Sequence, residues 1–140
     1  MNASALATPT MPRGRAVNIT LWVVQVLLAA FFVFAGINKL LGLQPEMVES
    51  FARMGAGPWF RYLVGALELA GGIGLLIPRL SGLAALGLAG VMVGAILTHL
   101  FVLPPIHYAL GPAVLVVVFG LIAWGRWPQT RALLSQLRGP

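Results

Sequence analysis

Leu63-Val64-Gly65-Ala66-Leu67-Glu68-Leu69-Ala70-Gly71-Gly72-Ile73-Gly74-Leu75-Leu76-Ile77 is an apolar, glycine-rich stretch interrupted once, by a glutamate. Extended back to Pro58, it reaches the roughly 20 residues that cross a hydrocarbon core as a helix. Backbone groups cannot stay unpaired in lipid, so a segment of this kind folds helically. Glu68 then lies near the centre of the span, where an acidic side chain costs roughly 2.5 to 3.5 kcal/mol to insert. It needs a partner, a proton or water. The chain has only three acidic residues among 140, and one of them stands here.

Three further apolar runs of similar length cover about 19–41, 82–103 and 106–125. With 58–77 they predict an all-α membrane protein, an antiparallel bundle of four transmembrane helices in one domain over 17–127. Composition agrees. The chain is 59% hydrophobic and 9% charged, with a mean hydropathy of +0.94; soluble domains carry about a quarter charged residues. The net charge of +6 arises from basic residues that flank the apolar runs. That distribution suits lipid headgroups and topology control, and it argues against nucleic acid as a partner. The absence of cysteine excludes thiol redox chemistry, disulfides and cysteine-bound metal within this chain. No Ser-His-Asp arrangement or phosphate-cradling glycine loop is present.

The connections are informative. Residues 1–16 read as a disordered cytoplasmic tail. The first run is too long for a signal-peptide core and ends without a small-x-small cleavage site, so it is expected to remain as a helix. Residues 45–54 form an amphipathic helix with Met47, Phe51 and Met54 on one side and Glu46, Glu49 and Arg53 elsewhere. It would lie at the membrane interface, as a float or a lid. Pro78-Arg79-Leu80-Ser81 and Pro104-Pro105 are short turns. Pro112 makes the fourth helix kink or start late. Residues 128–140 read as a basic cytoplasmic tail, with Ala132-Leu133-Leu134 and Leu137 able to rest on the membrane.

Arg13, Arg15, Arg79, Arg126, Arg131 and Arg138 fall on one side of such a bundle, and Lys39, Arg53 and Arg61 on the other. The excess predicts both termini in the cytoplasm. Trp22, Trp124 and Trp127 then sit at the inner interface and Trp59 at the outer one.

This topology brings Asn38, Lys39, Arg61, Glu68, Thr98 and His99 into the outer half of the bundle. Glu68 lies seven residues, about 10 Å, deeper than Arg61. Gln25 shares the Lys39 stripe, since 25, 29, 32, 36 and 39 follow helical spacing, but it lies nearer the cytoplasm and outside the cluster. Gly65, Glu68 and Gly72 share a face, and Gly87, Gly90 and Gly94 another; small residues there let neighbouring helices approach. Each cluster residue has a plain structural reading. On that reading Glu68 pairs helices with Lys39 or Arg61 or is a protonated carboxyl bonded to a backbone carbonyl, the two cations are interface anchors, and His99 is a satisfied interfacial histidine. His107 reads as solvent-exposed, and no metal site is expected.

At these positions the chain resembles the DoxX-like family of small bacterial membrane proteins. The likeness is carried by Phe34-Ala35-Gly36-Ile37-Asn38-Lys39-Leu40, by Gly65-Ala66-Leu67-Glu68-Leu69-Ala70-Gly71-Gly72 and by Leu75-Leu76-Ile77-Pro78-Arg79. It continues through Gly87-Leu88-Ala89, Met92-Val93-Gly94-Ala95 and Thr98-His99, covering roughly 19–127. The resemblance implies a four-helix membrane bundle in the bacterial inner membrane. The family takes its name from a subunit of a thiosulfate:quinone oxidoreductase, which implies a membrane subunit of a quinone-linked oxidoreductase as one function.

The chain shows no flavin, haem or iron–sulfur motif, so no cofactor of its own and no stand-alone enzyme is expected. The leading expectation is a partner subunit or small-ligand binding module whose cluster around Glu68 takes a polar headgroup, a quinone among the candidates. A redox partner chain, a homo-oligomer and a purely structural scaffold are the alternatives.

Overall fold

A computed structural model describes residues 14–139. The elements are α1 (Arg15–Leu41), α2 (Pro45–Arg53), α3 (Pro58–Leu75), α4 (Ser81–Phe101), α5 (Leu110–Gly125) and α6 (Trp127–Leu137), with a single 3-10 turn (Ile106–Ala109) leading into α5. No strand occurs among the described residues, so the all-α class holds. The tail expected over 1–16 lies outside the described residues as far as Arg13. Arg15 and Ala16 already belong to α1, which begins four residues ahead of the expected boundary.

The other boundaries follow proline chemistry. α3 and α4 end at Leu75 and Phe101, each two residues short of expectation. Ile77 and Leu103 precede prolines, which disfavour helical backbone at the preceding residue. α5 starts late, as expected, with Pro112 in its first turn, where a missing N–H costs nothing. The basic segment after Trp127 is not a loose tail: it is helical to Leu137.

Among the described residues, three helical segments are long and apolar enough to cross a membrane: α1, α4 and Ile106–Gly125. The 18-residue α3 is not among them, because Arg61 and Glu68 lower its hydropathy. The surface is nonetheless apolar. Leu27, Phe31, Phe34, Leu67, Val117 and Leu121 are exposed, while Gln25, Asn38, Arg61, Glu68 and Arg126 are buried. This reverses the usual pattern of soluble domains and suits a lipid surround. Ala29, Phe32, Leu75, Leu88, Phe119 and Ile122 form the middle of the core, with the Phe32 and Phe119 rings 5.4 Å apart.

α1 packs most extensively along α3, α4 along α5, and α3 meets α4. The α1–α3 contact is a glycine seam. A Cβ on Gly36 would stand 2.6 Å from the Gly65 carbonyl oxygen, and one on Gly72 would stand 3.0 Å from the Val33 nitrogen. Lys39 lies beside Gly65, and Gln25 at the other end donates to the Leu75 carbonyl at 2.7 Å, so the two helices run in opposite directions.

α3 and α4 behave differently along their length. They touch where Gly74 faces Ala84 and Gly71 faces Leu88. Further along α4, a Cβ on Gly87, Gly90 or Gly94 would meet nothing within 4 Å. The expectation that these glycines mediate close packing is therefore corrected: the helices part here, and the glycines border open space.

Candidate functional site

That space is a cleft of about 640 Å³ between α3 and α4, with α2 across one side. The walls are mostly apolar and include Leu63, Val64, Leu67 and Val91. α2 contributes Met47, Ser50, Phe51 and Met54, and Phe51 holds it to α3 through a ring contact with Phe60 at 5.8 Å. Volume and lining match those of small-molecule sites, which combine apolar walls with a few placed polar groups.

Four of the six expected site residues line this cleft: Lys39, Glu68, Thr98 and His99. Lys39 Nζ stands 2.8 Å from Glu68 Oε2. The glycine seam makes this pair, since the backbones of α1 and α3 must approach at Gly36 and Gly65 before the end of α1 can reach Glu68. The carboxylate is 6% exposed and the ammonium side chain 19%. Among the described residues, no donor other than this ammonium reaches Oε2. Oε2 is itself buried, while the residue as a whole lines the cleft.

On the opposite wall, the Thr98 hydroxyl donates to the Gly94 carbonyl at 2.9 Å and keeps its lone pairs available. His99 Nδ1 lies 3.3 Å from the Leu103 carbonyl. A carbonyl only accepts, so Nδ1 is the donor in this contact. The imidazole stands edge-on to Tyr108 at 5.8 Å.

The other two residues serve α1 instead. Asn38 Nδ2 donates to the Phe34 carbonyl of its own helix at 2.8 Å. Arg61 is 8% exposed, and its Nη1 donates to the Lys39 carbonyl at 2.7 Å. It places a cation on the carbonyl end of α1, where charge and hydrogen bonding are both favourable. Gly42 completes this cap. Its φ of +63° is left-handed, and a Cβ there would come 2.8 Å from Arg61 Nη1.

His107 is exposed, as expected. No group of three His, Cys, Asp or Glu side chains among the described residues could hold a metal ion.

Sequence reasoning missed the α2 residues as lining and read the α4 glycines as packing residues. The amphipathic pattern of 45–54 and the 87, 90, 94 spacing were the available signals. It also missed a second polar cluster at the α6 end. Arg126 Nε donates to Gln25 Oε1 at 2.7 Å, Nη1 donates to Asn18 Oδ1 at 2.9 Å, and the guanidinium lies 5.1 Å from the Trp22 ring centre.

An apolar helical shell around a buried ion pair, with spans long enough for a bilayer, defines an integral membrane protein with an internal amphipathic cleft. The sequence profile of the DoxX-like family matches residues 23–121. The chain belongs to that family. No curated protein and no solved structure shows significant similarity to it.

Proposed function

We propose that the protein is a small-ligand binding module of the bacterial inner membrane, with both termini cytoplasmic, α3 as a fourth span, and an amphipathic molecule held in the α3–α4 cleft. The observation that carries the ligand reading is the Lys39–Glu68 pair on the wall of a 640 Å³ apolar cleft. A helix-pairing ion pair needs no such space beside it.

The fourth span has its own support. Arg61 and Glu68, which lower the hydropathy of α3, are 8% and 4% exposed and are turned inward, whereas Ile73 on the same helix and Leu76 just after it are exposed outside the cleft. Parity adds to this. Asn18 near the start of α1 is bonded to Arg126 after the end of α5, which requires an even number of crossings between them. α1, α4 and α5 alone would make three.

A quinone suits the cleft chemically. Its ring and tail would lie along Leu63, Val64 and Leu67, a carbonyl would accept from Lys39, and the quinol hydroxyl would donate to Glu68. A quinone bound here would exchange electrons with a partner chain, making the protein the membrane subunit of a quinone-linked oxidoreductase.

The test is titration of the purified protein with a fluorescent or spin-labelled quinone analogue. Glu68→Gln is expected to weaken binding about tenfold, the loss of one charge-assisted hydrogen bond. Gly94→Leu, which fills the cleft without touching the ion pair, is expected to abolish binding with the fold intact. Unchanged affinity in both variants sinks the site.

The scaffold reading is favoured by one observation, that Glu68 has a single close cation among the described residues. It predicts no saturable binding of any amphipathic probe.

A further inference from the structure

We propose, resting on the ligand reading of the cleft, that the molecule held at Lys39–Glu68 is a long-tailed amphipath dissolved in the membrane. Its apolar chain lies in a second groove, between Glu68 and the turn that joins α3 to α4. This groove has a volume of about 300 Å³. Leu67 of α3 and Gly87 of α4 line both the groove and the cleft, so the two spaces adjoin. Along α3 the groove extends from Leu67 to Gly74, about 10 Å at the helical rise.

The two spaces differ in chemistry. Lys39, Glu68, Thr98 and His99 put charge and hydrogen-bonding groups on the cleft, whereas no residue that lines the groove has a polar side chain. A molecule that fills both is polar at one end and apolar along about 10 Å of the other. The floor of the groove is the place where the helices touch. A Cβ on Gly71 would stand 2.6 Å from Leu88, and one on Gly74 would stand 2.8 Å from Ala84. The rims carry Leu67 and Leu80, both exposed. Gly87 stands where groove and cleft meet, and a Cβ there would meet nothing within 4 Å. No side chain from that position blocks the way from one space to the other.

Continuity with the cleft favours the tail of the bound ligand as the occupant over a passing phospholipid chain. A phospholipid keeps its headgroup at the membrane interface, whereas Glu68 lies midway along α3 and calls for a polar group at that depth. An acyl chain alone would fill the groove and leave the ion pair unanswered. One molecule that reaches both places gains the polar contact and the groove contact together. Inside a bilayer a tail gains little from leaving its lipid neighbours, because both surroundings are apolar. What the groove adds is close dispersion contact with a fixed floor, so its effect is selective for ligands long enough to reach it.

The test uses full-length protein in one detergent and two quinones with the same headgroup, one bearing a methyl group and one a decyl chain. Ala70 lines the groove but not the cleft and is exposed, so Ala70→Phe fills the groove without touching the ion pair or the core. Affinities of variant and unsubstituted protein are compared for each quinone in the same micelles, which cancels the partition of the chain into detergent. Ala70→Phe is expected to weaken the decyl quinone about tenfold, the loss of roughly ten close carbon contacts, and to leave the methyl quinone unchanged. Ala66→Phe, the same change at an exposed position that lines neither space, is expected to alter neither affinity. Equal losses for the two quinones in Ala70→Phe, no loss for either, or the same loss in Ala66→Phe overturns the tail groove and leaves the headgroup site standing. Failure of the unsubstituted protein to bind either quinone overturns both.

Discussion

At the residue scale, the Lys39–Glu68 pair joins structure to proposed function. A buried pair loses much of its Coulomb gain to desolvation, so its two halves are not equally dispensable. Glu68→Leu leaves a half-buried ammonium without its anion and is expected to destabilise by about 2 to 4 kcal/mol, toward the lower end because Lys39 retains some exposure. Lys39→Met with Glu68→Leu removes both charges and is expected to recover most of that loss. Thermal unfolding of the singles and the double in one detergent gives this comparison. A double variant as unstable as the worse single would mean the pair is held by more than mutual charge. If the cleft binds a ligand, the same double restores stability while affinity stays lost, a split that a scaffold does not produce. Glu68 was legible in the sequence because an acid in a span is costly wherever it lies. Arg61 was not, because an arginine at a helix start reads equally as an anchor, a ligand or a cap. Its choice of the Lys39 carbonyl depends on how closely α1 approaches α3.

At the element scale, the same residue type serves opposite ends. Gly36, Gly65 and Gly72 close α1 on α3, whereas Gly87, Gly90 and Gly94 leave α4 apart from α3. Spacing alone could not separate these uses: both sets put small residues on one helix face. What differs is the partner surface. The seam is glycine against glycine and backbone, while the α4 glycines face a cleft that Leu63 and Leu67 of α3 also line. Substitution distinguishes the two sets. Gly65→Val would drive side-chain atoms into Lys39 Cβ and the Gly36 carbonyl, 2.9 and 3.1 Å from a Cβ there, and overpacking of this kind costs typically 1 to 3 kcal/mol. Gly90→Val enters open space and is expected to leave the unfolding midpoint within a degree or two, with no clash to relieve. Comparable losses in both variants would mean that α4 closes on α3 in the bilayer. The helices themselves were legible to within a few residues because hydropathy sets them and proline ends them. The helical order of 127–137 was not, since it depends on Thr130 packing against Gly82 at the start of α4.

At the scale of the whole molecule, the proposed number of crossings rests on one long-range contact. Hydropathy alone admits three spans, and three would leave α1 and α6 beginning on opposite sides of the membrane. The Asn18–Arg126 bond at 2.9 Å brings those starts together, and Thr130 at the head of α6 packs under Gly82 at the head of α4. The proposed fourth crossing, by α3, would satisfy both contacts with helices that span. Its inward-facing Arg61 and Glu68 explain why its average hydropathy understates its fitness for lipid. The proposed direction rests on the basic residues, since Arg15, Arg79, Arg126, Arg131 and Arg138 would lie at the α6 side against Lys39, Arg53 and Arg61 at the α2 side. Because the chain has no cysteine, single substitutions report cleanly. In intact cells an impermeant maleimide is expected to label Ala52→Cys on α2 and to miss Ser135→Cys on α6 until the membrane is opened. Labelling of Ser135→Cys alone would keep the four spans and invert them. Labelling of neither is expected only if α2 is buried in the interface. Arg15→Cys, near the start of α1, is expected to share the behaviour of Ser135→Cys; opposite behaviour at these two positions would mean an odd number of crossings and would separate Asn18 from Arg126.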